Sequence, residues 1–235
     1  MTNSLLYWYP KVKDLDIPMP KTEIVELKNT HVELMTIIDG NFSVLEPYWR
    51  EILDKSQKIG FPLFMRTDEF SSKHNWKNTC YVQSETELKE HIRNLFEDSF
   101  CADVWGLPLR AIVFREYIPM KNLFVAFRGE MPVNPEIRFF IKDGKVQCWH
   151  WYWIEEAIKE SRKLPKDWKE RLIRAKSDYM LGQNLILLTD YATTVAEHIE
   201  GYWSVDFCLS KEDTWFLIDM AQANQSWHQP KCKYA

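Results

Sequence analysis

The stretch YWSVDFCLSKEDTWFLIDMAQANQSWH, residues 202–228, decides how this chain is read. Tyr202–Leu209 is an apolar run carrying Asp206, Ser210–Asp213 is a polar turn, and Thr214–Met220 is a second apolar run carrying Asp219. Two such runs around a short polar turn predict a β-hairpin, with side chains alternating between faces. A four-residue turn pairs Asp206 with Leu217 and Ser204 with Asp219. Both aspartates then share a face, about 7–8 Å apart on the diagonal. At that spacing two carboxylates can share a hard, oxygen-loving cation such as Mg²⁺. A three-residue turn would put them on opposite faces. The competing reading is a half-exposed sheet with both aspartates in water. Asp219 sits within the apolar run Phe216-Leu217-Ile218-Asp219-Met220, where a buried carboxylate needs a cation or donors.

Composition narrows the classes around this hairpin. With 235 residues, 46% hydrophobic and 27% charged, the chain is ordinary globular material for one large or two modest domains. A net charge of −4 argues against a broad electrostatic grip on nucleic acid. Eleven tryptophans imply large aromatic contacts, and only seven glycines argue against a Gly-rich phosphate loop. Cys80, Cys101, Cys148, Cys208 and Cys232 are odd in number, widely spaced and form no C-x-x-C, which suggests a reduced compartment and neither a disulfide framework nor a zinc site. His150, in Cys148-Trp149-His150-Trp151, reads as a packed residue with no second ligand at strand or helix spacing. The N-terminus shows no signal peptide and no apolar run approaches the length of a membrane span, so a cytoplasmic protein without a membrane partner is expected.

Working back through the chain, strands are expected at 5–9, 23–27, 31–38, 61–66, 79–83, 110–117, 123–128, 136–142 and 145–153. Helices are expected over 43–59, stopped by Gly60, and from Ser84, whose Glu87 three residues on matches a capping box, to about Phe100. Segments 154–163 and 166–199 read as mostly helical, and Asp143-Gly144 as a tight hairpin turn. Strands and helices in this order make an α+β fold.

Three further stretches can carry chemistry. Arg66 ends a strand, and the loop behind it holds Ser71, Ser72, Lys73 and His74, a supply of hydroxyls and cations for a phosphate or simply a solvated loop. Phe114-Arg115-Glu116-Tyr117-Ile118-Pro119 ends a strand at a proline, which frees backbone groups for a flat base; a plain strand end is the simpler alternative. Glu136, Arg138, Phe140 and Lys142 share one strand face, either solvated or lining a triphosphate cleft with Arg138 as clamp, while Ile137, Phe139 and Ile141 form the core face. Lys142-Asp143-Gly144 lacks the spacer of the nucleotidyl-transferring K-x-D-G. No G-x-S-x-G, H-E-x-x-H or P-loop motif occurs.

In their order, these pieces resemble the ATP-grasp superfamily from about Phe61 to Trp227, and in particular its small divergent families, such as the group containing the cell-division-cycle assembly factor for translation initiation. FPLFMRTDEFSSKHNWKNTCYVQSETELKEHI is similar to the nucleotide-covering subdomain, VFREYIPM to the adenine hinge, EIRFFIKDGKV to the core strand and hairpin, and SVDF…WFLIDMAQANQSW to the metal-binding pair. The resemblance implies an ATP-grasp fold of two α+β subdomains with nucleotide between them: a short N-terminal region (1–60), a nucleotide-covering subdomain (61–118) and a core subdomain with the metal site (119–235). It implies that Arg66 and Lys73 contact ATP phosphates, that Glu116, Tyr117 and Ile118 hold adenine, and that Arg138 binds the γ-phosphate, with Arg138 and Lys73 the catalytic pair. Asp206 and Asp219 would hold Mg²⁺, with Asn224 as third ligand. The implied activity is ATP- and Mg²⁺-dependent ligation of a small-molecule or peptide carboxylate to an amine or thiol through an acyl phosphate. The alternative is an ATP–Mg²⁺-binding assembly factor that serves a protein partner and ligates nothing. Position 66 carries Arg where the family has Lys, and the usual acidic-x-Asn reads Asp219-Met220-Ala221.

Overall fold

The computed structural model describes residues 3–102, 109–127, 131–161, 163–230 and 232–234. The chain divides into two compact units, Pro20–Tyr117 and a second made of Met1–Met19 with Ile118–Ala235.

In the first unit, β1 (Thr22–Glu26), β2 (Leu63–Thr67), β3 (Tyr81–Val82) and β4 (Ala111–Glu116) form an antiparallel sheet in the order β1-β4-β2-β3. Alternation sends Val25, Leu63, Met65, Ile112 and Phe114 into the core, where α3 (Glu46–Ile59) and α4 (Leu88–Ala102) supply Ile52, Leu88, Ile92, Leu95 and Phe96. Helical spacing puts Leu45, Tyr48, Trp49, Ile52 and Leu53 on one face and Leu88, His91, Ile92, Leu95 and Phe96 on another, and these are the faces used; Gly60 ends α3 at φ +85°, a backbone that suits glycine.

The region expected to be strand at 31–38 is instead a short helix, α2 (His31–Met35). Thr30 Oγ1 accepts the Glu33 N–H at 3.3 Å and the Glu33 carboxylate accepts the Thr30 N–H at 2.7 Å, a reciprocal cap that outweighs the weak strand pattern. The capping box expected at Ser84 is not formed: Glu87 accepts the Gln83 N–H at 2.8 Å, and a 3₁₀ turn, Glu85–Glu87, leads into α4.

In the second unit, β7 (Glu136–Lys142), β8 (Lys145–Trp151), β9 (Tyr202–Leu209) and β10 (Trp215–Gln222) form an antiparallel sheet in the order β10-β9-β7-β8, and β5 (Phe124–Ala126) and β6 (Met131–Val133) pair as a ribbon. The expected strand at 123–128 runs into Arg128, which lies outside the described residues. Asp143 and Gly144 adopt φ of +49° and +75°, the pair of left-handed residues that a two-residue hairpin turn requires. Helices α5 (Glu155–Lys159), α6 (Trp168–Tyr179) and α7 (Gln183–His198) separate the two hairpins. The apolar face of the sheet, with Ile137, Phe139, Val205 and Phe207, packs on α7, where Tyr191 lies 6.1 Å from the Phe207 ring.

The first residues are not a strand but α1 (Leu5–Val12), because Leu5, Trp8 and Val12 are buried at helical spacing and Ser4 Oγ caps the Leu6 N–H. Tyr7 stacks on Trp203 at 5.6 Å, and the Leu217 N–H donates to Pro18 O, so residues 1–19 belong with the final hairpin. The region expected to stand apart over 1–60 is thus shared between the units: β1 completes one sheet through β4, and α1 covers part of the other.

Candidate functional site

The decisive feature is a row of side chains across β8, β7, β9 and β10. His150 pairs with Arg138, Arg138 with Asp206, and Asp206 with Asp219. Directly paired residues share a face, so all four stand on the side of the sheet opposite the α7 core.

The aspartates meet there by a different register from the one expected. Trp215 pairs with Leu209, which makes the connection one residue longer than the four-residue turn. That change alone would turn Asp219 away from Asp206, since one residue of slip inverts every side chain. A β-bulge at Ile218 adds a second one-residue shift and turns it back, so the two aspartates are direct partners rather than diagonal neighbours.

Arg138 grips Asp206 with a fork. Nε donates to Oδ1 and Nη2 to Oδ2, each at 2.7 Å, and the guanidinium lies 4.6 Å from the Tyr152 ring centre. Burial disfavours the charge on Arg138, but the Asp206 carboxylate and its two hydrogen bonds outweigh burial and raise the arginine pKa. Asp206 is 4% exposed, and Asp219 is half-buried, its Oδ1 accepting the Met220 N–H at 3.0 Å. One guanidinium against two carboxylates leaves a formal charge of −1, with oxygen ligands of the kind a hard divalent ion prefers. The position two beyond Asp219 on this face is Ala221, which has no donor atom; Asn224 is exposed in a 3₁₀ turn, Ala223–Gln225, past the end of β10.

In the other unit, the face of the sheet turned from α3 and α4 carries Phe64, Arg66, Tyr81, Val113 and Arg115. Arg66 is 4% exposed and its Nε donates to Thr67 O at 3.1 Å. Arg115, which was not among the expected site residues, stands on the same face and donates through Nε to Thr22 Oγ1 at 3.3 Å. Alternation along β4 against Ile112 and Phe114 was the signal for it. Trp76 stacks on Tyr81 at 5.8 Å, and Tyr81 meets Tyr117 at 4.9 Å, which makes an aromatic floor. Burial, with Tyr81 adding, raises the Tyr117 pKa.

β4 ends at Glu116, as the proline predicts, but the Glu116 N–H already donates to Lys21 O at 2.8 Å and its carboxylate accepts the Lys21 N–H at 3.3 Å. Tyr117 and Ile118 lie beyond the ladder, where the chain passes from one unit to the other. The loop after β2 is held rather than loose. Ser72 Oγ pairs with the Asp98 carboxylate of α4, Asn75 donates to it at 3.3 Å, and Thr79 Oγ1 donates to Ser72 O at 3.1 Å. Lys73, half-exposed, opens the 3₁₀ turn Lys73–Asn75 within this tether. Removing the anchor in Asp98→Ala is expected to loosen the loop by about 1–3 kcal/mol. Amide exchange over residues 71–77 should then rise about 10- to 100-fold, and unchanged exchange would show that the loop is held elsewhere.

Cys148, Cys232 and His150 are not the isolated residues that their spacing suggests. Among the described residues, Cys148, His150, His228 and Cys232 bring one metal-ligating atom each to within 4.8 Å of one another. Cys148 and His150 alternate onto one face of β8, and His228 and Cys232 arrive from the C-terminal segment. Burial, with Cys232 adding, pushes the Cys148 thiol up to about 12; burial, with His228 adding, lowers the His150 pKa. The legible signal was C-x-H in an alternating strand together with H-x-x-x-C near the end, 78 residues on from His150 to His228.

A family model described as an ATP-grasp domain, family 3 of its clade, matches residues 53–234. This chain belongs to that ATP-grasp family. Its ATP-grasp fold is shared with Cdc123 from Schizosaccharomyces pombe, at 15% identity and a TM-score of 0.52 over 93% of this chain and 82% of that one. The C-terminally truncated form of Cdc123 gives 14% identity and a TM-score of 0.55 over 94% and 83%. A Glycine--tRNA ligase from Deinococcus radiodurans is 25% identical over 164 residues, 67% of this chain and 32% of that protein, so the chain spans about a third of the length of the curated relative it matches. The ATP-grasp match covers both hairpins of the second unit and all but the first elements of the other. Among the described residues, no helix is long and apolar enough to cross a membrane.

Proposed function

We propose that this chain binds ATP with Mg²⁺ and uses it to join a carboxylate to an amine or thiol. The observation that carries the reading is the Arg138–Asp206–Asp219 row, whose two carboxylates share one sheet face in a chain of the ATP-grasp family. Asp206 and Asp219 fit Mg²⁺ by donor chemistry, and Asn224 is the third candidate ligand. When bound, ATP supplies the phosphoryl group that turns a carboxylate into an acyl phosphate.

The residues of this chain then bind, orient and neutralise. Arg138 commits two donors to Asp206, which fixes the guanidinium plane, and turns its remaining N–H groups to a phosphoryl oxygen. Arg66 and Lys73 take phosphate oxygens. Tyr117, Ile118 and the end of β4 at Glu116 hold the base. No protein nucleophile is required, since positioning and charge neutralisation account for the chemistry. The acceptor is a small molecule or peptide, and the compartment is the reducing cytoplasm.

The fork on Asp206 favours one alternative as well: a protein that holds ATP–Mg²⁺ for a protein partner needs Arg138 for structure only. Thermal shift with ATP, with and without Mg²⁺, followed by ADP release on adding carboxylates and amines, separates the two. A nucleotide at 100 times its Kd should stabilise the fold by about 2.7 kcal/mol. Stabilisation that needs Mg²⁺, with ADP release that needs a carboxylate, is the expected result. Stabilisation without turnover by any acceptor supports the binding role, and no shift at all defeats both.

A further inference from the structure

We propose that Cys148, His150, His228 and Cys232 form a structural Zn²⁺ site that clamps the C-terminal segment onto β8. The site is distinct from the Asp206–Asp219 pair. It uses two thiolates and two imidazoles, the borderline-soft set that selects zinc, whereas the aspartates offer hard oxygen.

Four observations carry this. First, the four ligand atoms already converge, with Cys148 Sγ 3.3 Å from His228 Nε2. Zinc bonds of about 2.0 Å to nitrogen and 2.3 Å to sulfur place tetrahedral ligands about 3.3–3.8 Å apart. The widest separation here is at most 4.8 Å, so closure asks for about 1 Å of side-chain movement. Second, His150 is oriented from behind. Its Nδ1 lies 3.0 Å from Gln229 Oε1 and donates to it, which puts the lone pair on Nε2. Outer-shell acceptors of this kind hold metal-ligating histidines in a single tautomer. Third, His150 Nε2, the nitrogen that the Gln229 contact leaves with the lone pair, is buried and has no hydrogen-bond partner. His150 is only 7% exposed, and a buried imidazole nitrogen left unpaired is costly unless something takes its lone pair. Fourth, the segment that supplies His228 and Cys232 lies on the sheet face used by the row. Its His228 ring is 4.1 Å from Phe140 and 4.7 Å from His150, and Ser226 Oγ is 2.7 Å from Ser204 Oγ.

Four protein ligands close the coordination sphere, so the ion is structural and holds no substrate. Its effect reaches the row through one strand pair: His150 is the direct partner of Arg138. A clamped C-terminal segment therefore fixes the neighbour of the guanidinium.

The test uses the full chain, expressed with zinc and purified under reducing conditions. Metal analysis should find one zinc per chain. Exchange for Co²⁺ should give the intense thiolate-to-metal absorption of a tetrahedral site. Cys232→Ser and His228→Ala, both on the terminal segment and outside the sheet, should lose the stoichiometric zinc. Cys101→Ser, an exposed cysteine of the other unit, should keep it. Cys232→His should keep one metal while about half of the thiolate absorption disappears. Chelation should lower the thermal midpoint of the parent chain and leave Cys232→Ser unmoved. The proposal is overturned by a folded parent chain without stoichiometric zinc. It is equally overturned by Co²⁺ uptake that shows no thiolate band, or by a Cys148–Cys232 disulfide that takes up no metal after reduction. Because the readout is metal content, loss of the ATP–Mg²⁺ reading would leave it untouched.

Discussion

Replacing Arg138 by methionine is expected to destabilise the fold by about 3–5 kcal/mol, because it strands a buried carboxylate. Asp206 is 4% exposed, and both of its oxygens accept from Arg138. Methionine fills much of the volume and supplies no donor. For a chain of this size the loss corresponds to a fall in thermal midpoint of about 6–20 °C. The second half of the cycle decides the cause. Asp206→Leu added to Arg138→Met removes the stranded charge, and the double variant should recover most of the lost stability, since a buried ion pair and an apolar pair of similar volume are near equals. Both variants should lose nucleotide-dependent stabilisation, so stability and binding separate in the double variant. A loss below about 1 kcal/mol in the single variant would mean that water or another cation reaches Asp206, and the row would lose its structural weight.

Asp219→Asn is expected to leave the fold intact and to abolish the Mg²⁺-dependent part of ATP stabilisation. Asn retains the acceptor for the Met220 N–H and removes one of two facing like charges, so the hairpin should be no less stable. A divalent ion contributes several kcal/mol of charge stabilisation to phosphoryl transfer. Losing it should lower ADP release about 10²- to 10³-fold. Zinc content should be unchanged, because the two sets of ligands share no residue. The measurement is thermal shift over an Mg²⁺ series with ATP, paired with ADP release. A variant whose ATP–Mg²⁺ shift equals that of the parent chain would remove Asp219 from the site and leave Asp206 alone, too little to hold the ion.

The legibility of this protein differs from element to element for reasons that can be named. β7 and β9 were readable because the period-two pattern in Glu136–Lys142 and Tyr202–Leu209 is strong and one face is wholly apolar. Asp143-Gly144 was readable because few residues tolerate two left-handed conformations in succession. α3 and α4 were readable from their faces. α1 and α2 were not, since Leu5–Tyr9 and His31–Ile38 are rich in residues that suit strands, and the choice rests on burial of Leu5, Trp8 and Val12 and on a single cap at Thr30. The ATP-grasp resemblance came through the order of the pieces, and the family match bears it out.

By itself the sequence determined which residues of an unbroken strand or helix face together, because a regular element repeats with a period of 2.0 or 3.6. It therefore placed Arg138 with Glu136, and Ile137 with Phe139, before any fold was known. Which residues meet across strands was decided only in three dimensions. The bulge at Ile218, the pairing of Arg138 with Asp206 and the gathering of Cys148 and His150 with His228 and Cys232 all join segments separated along the chain. Register between such segments is a property of the packed sheet, where one residue of slip inverts a face, and no local pattern carries that information.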